Sequence, residues 1–176
     1  ITTLTGESDF AELFFRELRV PADALLGAEN DGWRVAMTTL TAERSGVATL
    51  HLGVRGRIRA LIEDARAAGA LGDPRQRERL ARLYLEGELL KLLSERALSG
   101  IVHRRQGPEG SLVKLMWSQT EQHVAEVAAE VLGQATLAGP WARVRLAARS
   151  YSIAGGTTQV NKNIVAERVL GLPKST

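Results

Sequence analysis

The chain has 176 residues, 44% hydrophobic and 24% charged, with 23 basic and 20 acidic residues giving a net charge of +3. These totals fit one globular domain, with or without a short appendage, and the absence of cysteine excludes a disulfide scaffold and any thiolate metal site. Basic and acidic residues are interleaved, which gives no nucleic-acid footprint, and no apolar run approaches the ~20 residues of a membrane span.

The chain opens Ile1-Thr2-Thr3, with neither Met nor a signal-peptide pattern. It reads as a piece of a longer protein, and the lack of cysteine suits the cytoplasm. Over residues 1–30, Leu4, Phe10, Leu13, Phe14, Phe15, Leu18 and Val20 partly alternate with polar residues, punctuated by Gly6 and Pro21. That pattern predicts two short strands and a turn, belonging to a sheet whose remainder lies elsewhere.

From Asp31 the period becomes helical. Val35, Met37, Leu40, Val47, Leu50, Val54, Ile58 and Leu61 fall mostly three or four apart, until Gly69, Gly72, Asp73 and Pro74 interrupt them. A second helix carries Leu80, Leu83, Tyr84, Leu89, Leu90, Leu93 and Leu98 and ends near Gly107-Pro108. A third opens at Ser111 and runs to Gly133. A shorter amphipathic piece, Trp141 to Arg149, leads into Ala154-Gly155-Gly156-Thr157, and a last helix spans Thr158 to about Leu170 before Gly171 and Pro173. The expected fold is all-α, an up-down four-helix bundle preceded by a short β-strand segment.

Two places carry candidate chemistry. Gly155-Gly156-Thr157-Thr158-Gln159 stands directly before a helix, where glycines allow close backbone approach and free N–H groups suit a phosphate. The same threonines also read as a plain helix cap, the commoner meaning of such spacing. Glu43 follows Leu40 by three and precedes Val47 by four, so it shares an apolar stripe. Desolvation there would raise its pKa and make it a general base, while a salt bridge with Arg44 or a neighbouring helix is the plainer reading. His51, His103 and His123 lack metal-ligand spacing, and Trp33, Trp117 and Trp141 read as core or interface anchors.

Several of these stretches, in order, resemble one family. Tyr151-Ser-Ile-Ala-Gly-Gly-Thr-Thr-Gln159 followed by Asn163-Ile-Val-Ala-Glu-Arg168 is similar to the terminal signature of the acyl-CoA dehydrogenases. Arg19-Val20-Pro21, Leu26-Gly27, Gly32-Trp33, Ala42-Glu43-Arg44 and Glu130-Val-Leu-Gly133 resemble further family stretches in the same order. The resemblance implies that residues 1–30 are the remnant of a middle β-domain and 31–176 a C-terminal helical bundle domain. It also implies an FAD flavoprotein that oxidises the Cα–Cβ bond of an acyl-CoA thioester and passes electrons to electron-transfer flavoprotein. Assembly as a dimer of dimers through the bundle follows from the same resemblance.

The sequence departs from the family pattern at the place where most members carry their catalytic Glu, directly before the Gly-Thr. That position is Gly155. A minority place the base on the first long helix of this domain before an Arg, which corresponds to Glu43 and Arg44. Thr157 and Gln159 match positions near the flavin phosphates and ribose, with Gly155 and Gly156 beside them. Gly133 matches a glycine near the adenine across the dimer. The stretch 67–74 is shorter than the family's usual flavin-contacting loop. A catalytically silent subunit completing a partner's flavin site, and another flavin reaction on the same scaffold, are the alternatives.

Overall fold

In a computed structural model the described residues are 1–43, 46, 49–103, 107 and 109–174, with 41–43 described by backbone alone. Among the described residues there are six α-helices, joined in places by short 3-10 turns: α1 (Gly32–Glu43), α2 (Leu50–Ala67), α3 (Pro74–Val102), α4 (Glu109–Leu132), α5 (Gly139–Ala148) and α6 (Thr158–Arg168). The class is all-α, as expected. Residues 1–30 form no strand; they contain one 3-10 turn, Ala22–Ala24, in otherwise irregular backbone. The alternation was real, but a strand exists only through its ladder, and no second edge is there to pair with. The helical period read as one run from Asp31 to Leu61 is divided between α1 and α2.

The core begins at α2. Val54, Ile58, Leu61 and Ala65 repeat at three- and four-residue steps along one face and are buried, as are Leu80, Leu83, Gly87 and Leu90 of α3. Val113, Val124, Val127 and Ala128 of α4 complete the cluster. Each of the large side chains contributes about 1.5–3 kcal/mol on leaving water. Among the described residues none of the buried ones precedes Val54. Trp33 and Leu40 of α1 and the three phenylalanines, Phe10, Phe14 and Phe15, face solvent.

Cross-helix pairs fix the registers. Arg79 bonds Glu130, and Glu86 meets His123 Nδ1 at 2.9 Å. These pairs lie about two turns apart on both helices, in opposite chain directions, so α3 and α4 are antiparallel. The turn from α2 into α3 is equally defined. Gly69 adopts φ +72, and Asp73 caps α3 by accepting from Arg75 N at 2.8 Å, with Pro74 in the first turn. α4 touches α2, α3, α5 and α6 and is buried on most of its circumference. α5 is tied back to α2 by Trp141 Nε1, which donates to Asp64 Oδ2 at 2.7 Å.

α2 and α3 meet closely at Gly87. A Cβ added there would lie 2.7 Å from Ile58 Cδ1, inside the packed core. Gly87→Ala is therefore expected to destabilise by about 1–3 kcal/mol despite the better helix propensity of alanine. Gly56, on the exposed side of α2, has nothing within 4 Å of such a Cβ, and Gly56→Ala should stabilise by up to about 1 kcal/mol. Urea unfolding of the two variants checks both signs.

Candidate functional site

The candidate phosphate-binding residues converge on a loop held between α4 and α6. After α5 the chain makes a 3-10 turn, Ser150–Ser152, and then passes through Gly155 and Gly156 with φ of +66 and +94. These are left-handed and extended left-handed conformations that a side chain would strain, which is why glycine stands twice in succession. Thr157 is the N-cap of α6, its Oγ1 accepting from Val160 N at 3.2 Å. The cap reading of the sequence is thus realised, and it orients the first turn of α6 toward the loop. The N–H groups of Thr158 and Gln159 have no partner within a helical ladder.

Asn161, buried in α6, holds the loop from one side. Its Nδ2 donates to Gly156 O at 2.8 Å and to Thr157 O at 3.0 Å. A Cβ on Gly156 would come within 3.1 Å of that same nitrogen. α4 holds the other side. Lys114, only 6% exposed, donates from Nζ to Tyr151 O at 2.6 Å. Its ammonium lies 5.5 Å from the Trp117 ring centre, and Trp117 packs on Tyr151 with ring centres 4.7 Å apart. Burial lowers the Lys114 pKa, since the ammonium loses water. Burial also raises the Tyr151 phenol, with the charge of Glu121 adding to it. Glu121 is wholly buried one face-repeat further along α4 and is bound by Arg57 of α2 through two nitrogens, Nε at 2.8 Å.

Lys114, Glu121 and Asn161 were not singled out from the sequence. A signal existed for the first two. Ser111, Lys114, Ser118 and Glu121 fall at three- and four-residue steps along one face of α4, a polar stripe that turns out to be buried.

The other sequence candidates are dispersed. Gly133, with φ +57, opens the 3-10 turn Gly133–Leu137 beyond the far end of α4, roughly 28 Å along the axis from Lys114 at 1.5 Å per residue. Glu43 is the last residue of α1, its side chain not among the described ones, and Arg44 lies outside the described residues. His123 pairs with Glu86, and among the described residues no group of three His, Cys, Asp or Glu side chains could hold a metal ion. Among the described residues no helix is long and apolar enough to cross a membrane.

The family profile described as the acyl-CoA dehydrogenase C-terminal domain matches residues 30–170, which takes in α1 through α6 and the loop. The chain belongs to the acyl-CoA dehydrogenase family. An acyl-CoA dehydrogenase of Mycobacterium tuberculosis, IpdE1, is 37% identical over 182 residues, covering 99% of this chain and 47% of that protein. The solved structure of the Tcur3481-Tcur3483 steroid acyl-CoA dehydrogenase superposes with a TM-score of 0.87 at 25% identity, over 99% of this chain and 48% of that one. The ChsE4-ChsE5 complex of Mycobacterium tuberculosis gives 0.80 at 25% identity, over 92% and 46%. The chain spans about half the length of these acyl-CoA dehydrogenases. Within the family's terminal signature, the polar clasp around Gly155–Thr157 is what the folded chain adds to the sequence reading.

Thr157→Ala removes the α6 cap and should cost about 1 kcal/mol. Asn161→Ala removes both hydrogen bonds that a buried amide makes to the half-buried carbonyls of Gly156 and Thr157, and should cost about 1–3 kcal/mol. Urea unfolding measures both, and amide exchange should place the loss in α6 ahead of α2 and α3.

Proposed function

We propose that the protein containing this chain is an FAD-dependent dehydrogenase of acyl-CoA thioesters, to which residues 31–176 contribute the C-terminal helical bundle domain. The observation that carries the reading is the family match over residues 30–170 together with the clasped loop that bears the family's terminal signature. Residues 1–30 are read as the end of a preceding β-domain, which accounts for their apolar alternation and for the exposure of Phe10, Phe14 and Phe15.

The loop fits the cofactor. Gly155 and Gly156 offer backbone without side chains, and the first turn of α6 directs free N–H groups and the positive end of its dipole outward, which suits a phosphate. Gly155, Gly156, Thr157 and Gln159 are assigned to hold FAD, with Gly133 assigned to a second contact across a subunit interface. FAD, when bound, supplies the acceptor for the β-hydride. The chain's own part is to place the thioester and to remove the α-proton.

Glu43 is assigned as the base, because Gly155 carries no carboxylate at the position most of the family uses. Arg44, its sequence neighbour, is assigned to hold and charge-balance that carboxylate. Removal of a proton α to a thioester by a positioned carboxylate is ordinary general-base catalysis, which contributes on the order of 10²–10⁴ in rate. Electron-transfer flavoprotein is the assigned oxidant, and oligomerisation as a dimer of dimers is assigned to the bundle's exposed apolar faces, where Leu85, Leu89 and Leu92 of α3 meet solvent.

A second reading, a silent subunit completing a partner's flavin site, is favoured by Gly155 and by the two-component complexes among the solved structures that the chain resembles. Under that reading Glu43 has no proton to remove. The full-length protein, purified alone and titrated anaerobically with acyl-CoA thioesters, separates the two. Bleaching of its flavin absorbance supports the dehydrogenase; a colourless protein, or a yellow one that no thioester bleaches, supports the silent subunit. In the first case Glu43→Gln should keep the flavin and lower the bleaching rate by about 10²–10⁴, and a near-normal rate would remove Glu43 from the role.

A further inference from the structure

The middle of the terminal loop has no side chains with which to anchor itself. Gly155 and Gly156 adopt positive φ, and their backbone position is set by whatever grips the chain before and after them. After them the grip is Asn161, on the carbonyls of Gly156 and Thr157. Before them it comes from α4 through three successive contacts. Gln122 Nε2 donates to Ala148 O at 3.3 Å, Trp117 packs at a tilt against the Tyr151 ring, and Lys114 Nζ donates to Tyr151 O at 2.6 Å. Lys114 reaches furthest. Gly155 faces its stem, and a Cβ there would stand 3.3 Å from Lys114 Cε.

A lysine is a costly way to fill that space. An apolar residue of the same length would pack there without desolvating an ammonium. Glu121, the carboxylate on the same stripe of α4, is engaged by Arg57, and the groups found against the ammonium are a carbonyl dipole and an indole face. What the ammonium adds over an apolar side chain is a short, charge-assisted, directional bond to one backbone atom. We propose that Lys114 is a positioning residue: its ammonium clamps the Tyr151 carbonyl and its stem supports Gly155, and together they set where the Gly155–Thr157 backbone stands relative to α4. The bearing of this clamp on catalysis rests on the flavin-dehydrogenase reading above, whereas the clamp itself does not.

The test uses the full-length protein and compares Lys114→Met, which keeps the stem and loses the donor, with Lys114→Arg, which keeps a cationic donor. Hydrogen–deuterium exchange is followed in peptides covering 151–160 and, as a reference, the core of α2 and α3. Loss of a bond to a charged donor should speed exchange over 153–159 by about tenfold or more in Lys114→Met, with the reference peptides unchanged and Lys114→Arg within about threefold of wild type. Wild-type exchange over 153–159 in Lys114→Met would overturn the proposal. So would loosening spread equally over α2, α3 and the loop, which marks a packing role, or equal loosening in both variants. Should Lys114→Met fail to fold, Lys114→Arg carries the test, and loss of loop protection in it with an intact bundle overturns the clamp.

Kinetics add a separate reading. In a protein whose flavin is bleached by thioester, Lys114→Met should lower the maximal bleaching rate by roughly tenfold and leave the half-saturating concentration within about threefold. The opposite split would make Lys114 a substrate-binding residue and overturn the positioning role. A flavin that no thioester bleaches defeats the dehydrogenase reading and leaves the clamp to the exchange measurement.

Discussion

A carboxylate with no exposed surface, Glu121, must meet a cation or stay out of the core, and this requirement orders the bundle. Arg57 supplies the cation from α2, with its own side chain a third exposed, so the guanidinium stem runs from solvent to the buried acid. Removing Arg57 would strand the buried acid at a cost of several kcal/mol, and sliding α2 by one turn along α4 would do the same without any mutation. The pair therefore sets the register of two helices that apolar contacts alone would hold less specifically. α3 is then fixed against both by Arg79–Glu130 and Glu86–His123 on one side and Arg55–Glu88 on the other.

The consequence for the site is geometric. Because α4 is the helix enclosed on most sides, any residue on it has a well-determined position, and the terminal loop borrows that determination. Lys114 and Trp117 lie one to two turns before Glu121 on the same stripe, so the register that satisfies Glu121 also places the ammonium under Tyr151. A loop built of two glycines is otherwise the least self-determined kind of backbone. Here one of the two helices that hold it, α4, is itself placed against α2 and α3 by unrelated charges.

Much of this was legible in the sequence. The apolar periods of α2 and α3 declared themselves because each helix buries one stripe, and Gly69, Gly72, Asp73 and Pro74 marked the break between them. The Gly155–Thr157 segment was legible as loop and cap. The strands expected in residues 1–30 did not form, since alternation records which face would be buried but cannot supply the partner that makes a strand. Lys114 and Asn161 escaped notice for a different reason. A lone lysine on a helix ordinarily snorkels to water, and an asparagine one turn into a helix ordinarily faces solvent; only the packing of α4 against the loop turns both inward. Glu43 and Arg44 were legible as candidates, and their geometry lies outside the described side chains. Gly133 was legible as the end of α4, far along that helix from the loop.

The three tryptophans occupy three distinct optical environments. Trp33 is solvated already, so its emission changes little when the chain unfolds. Trp117 lies beside an ammonium and a phenol ring, and Trp141 is hydrogen-bonded to a carboxylate on another helix. Intrinsic fluorescence is consequently weighted toward the two flanks of α4, where the terminal loop and α5 dock. Of the two, Trp117 touches the terminal loop through Tyr151, so its emission makes the chain a built-in sensor of its own candidate site.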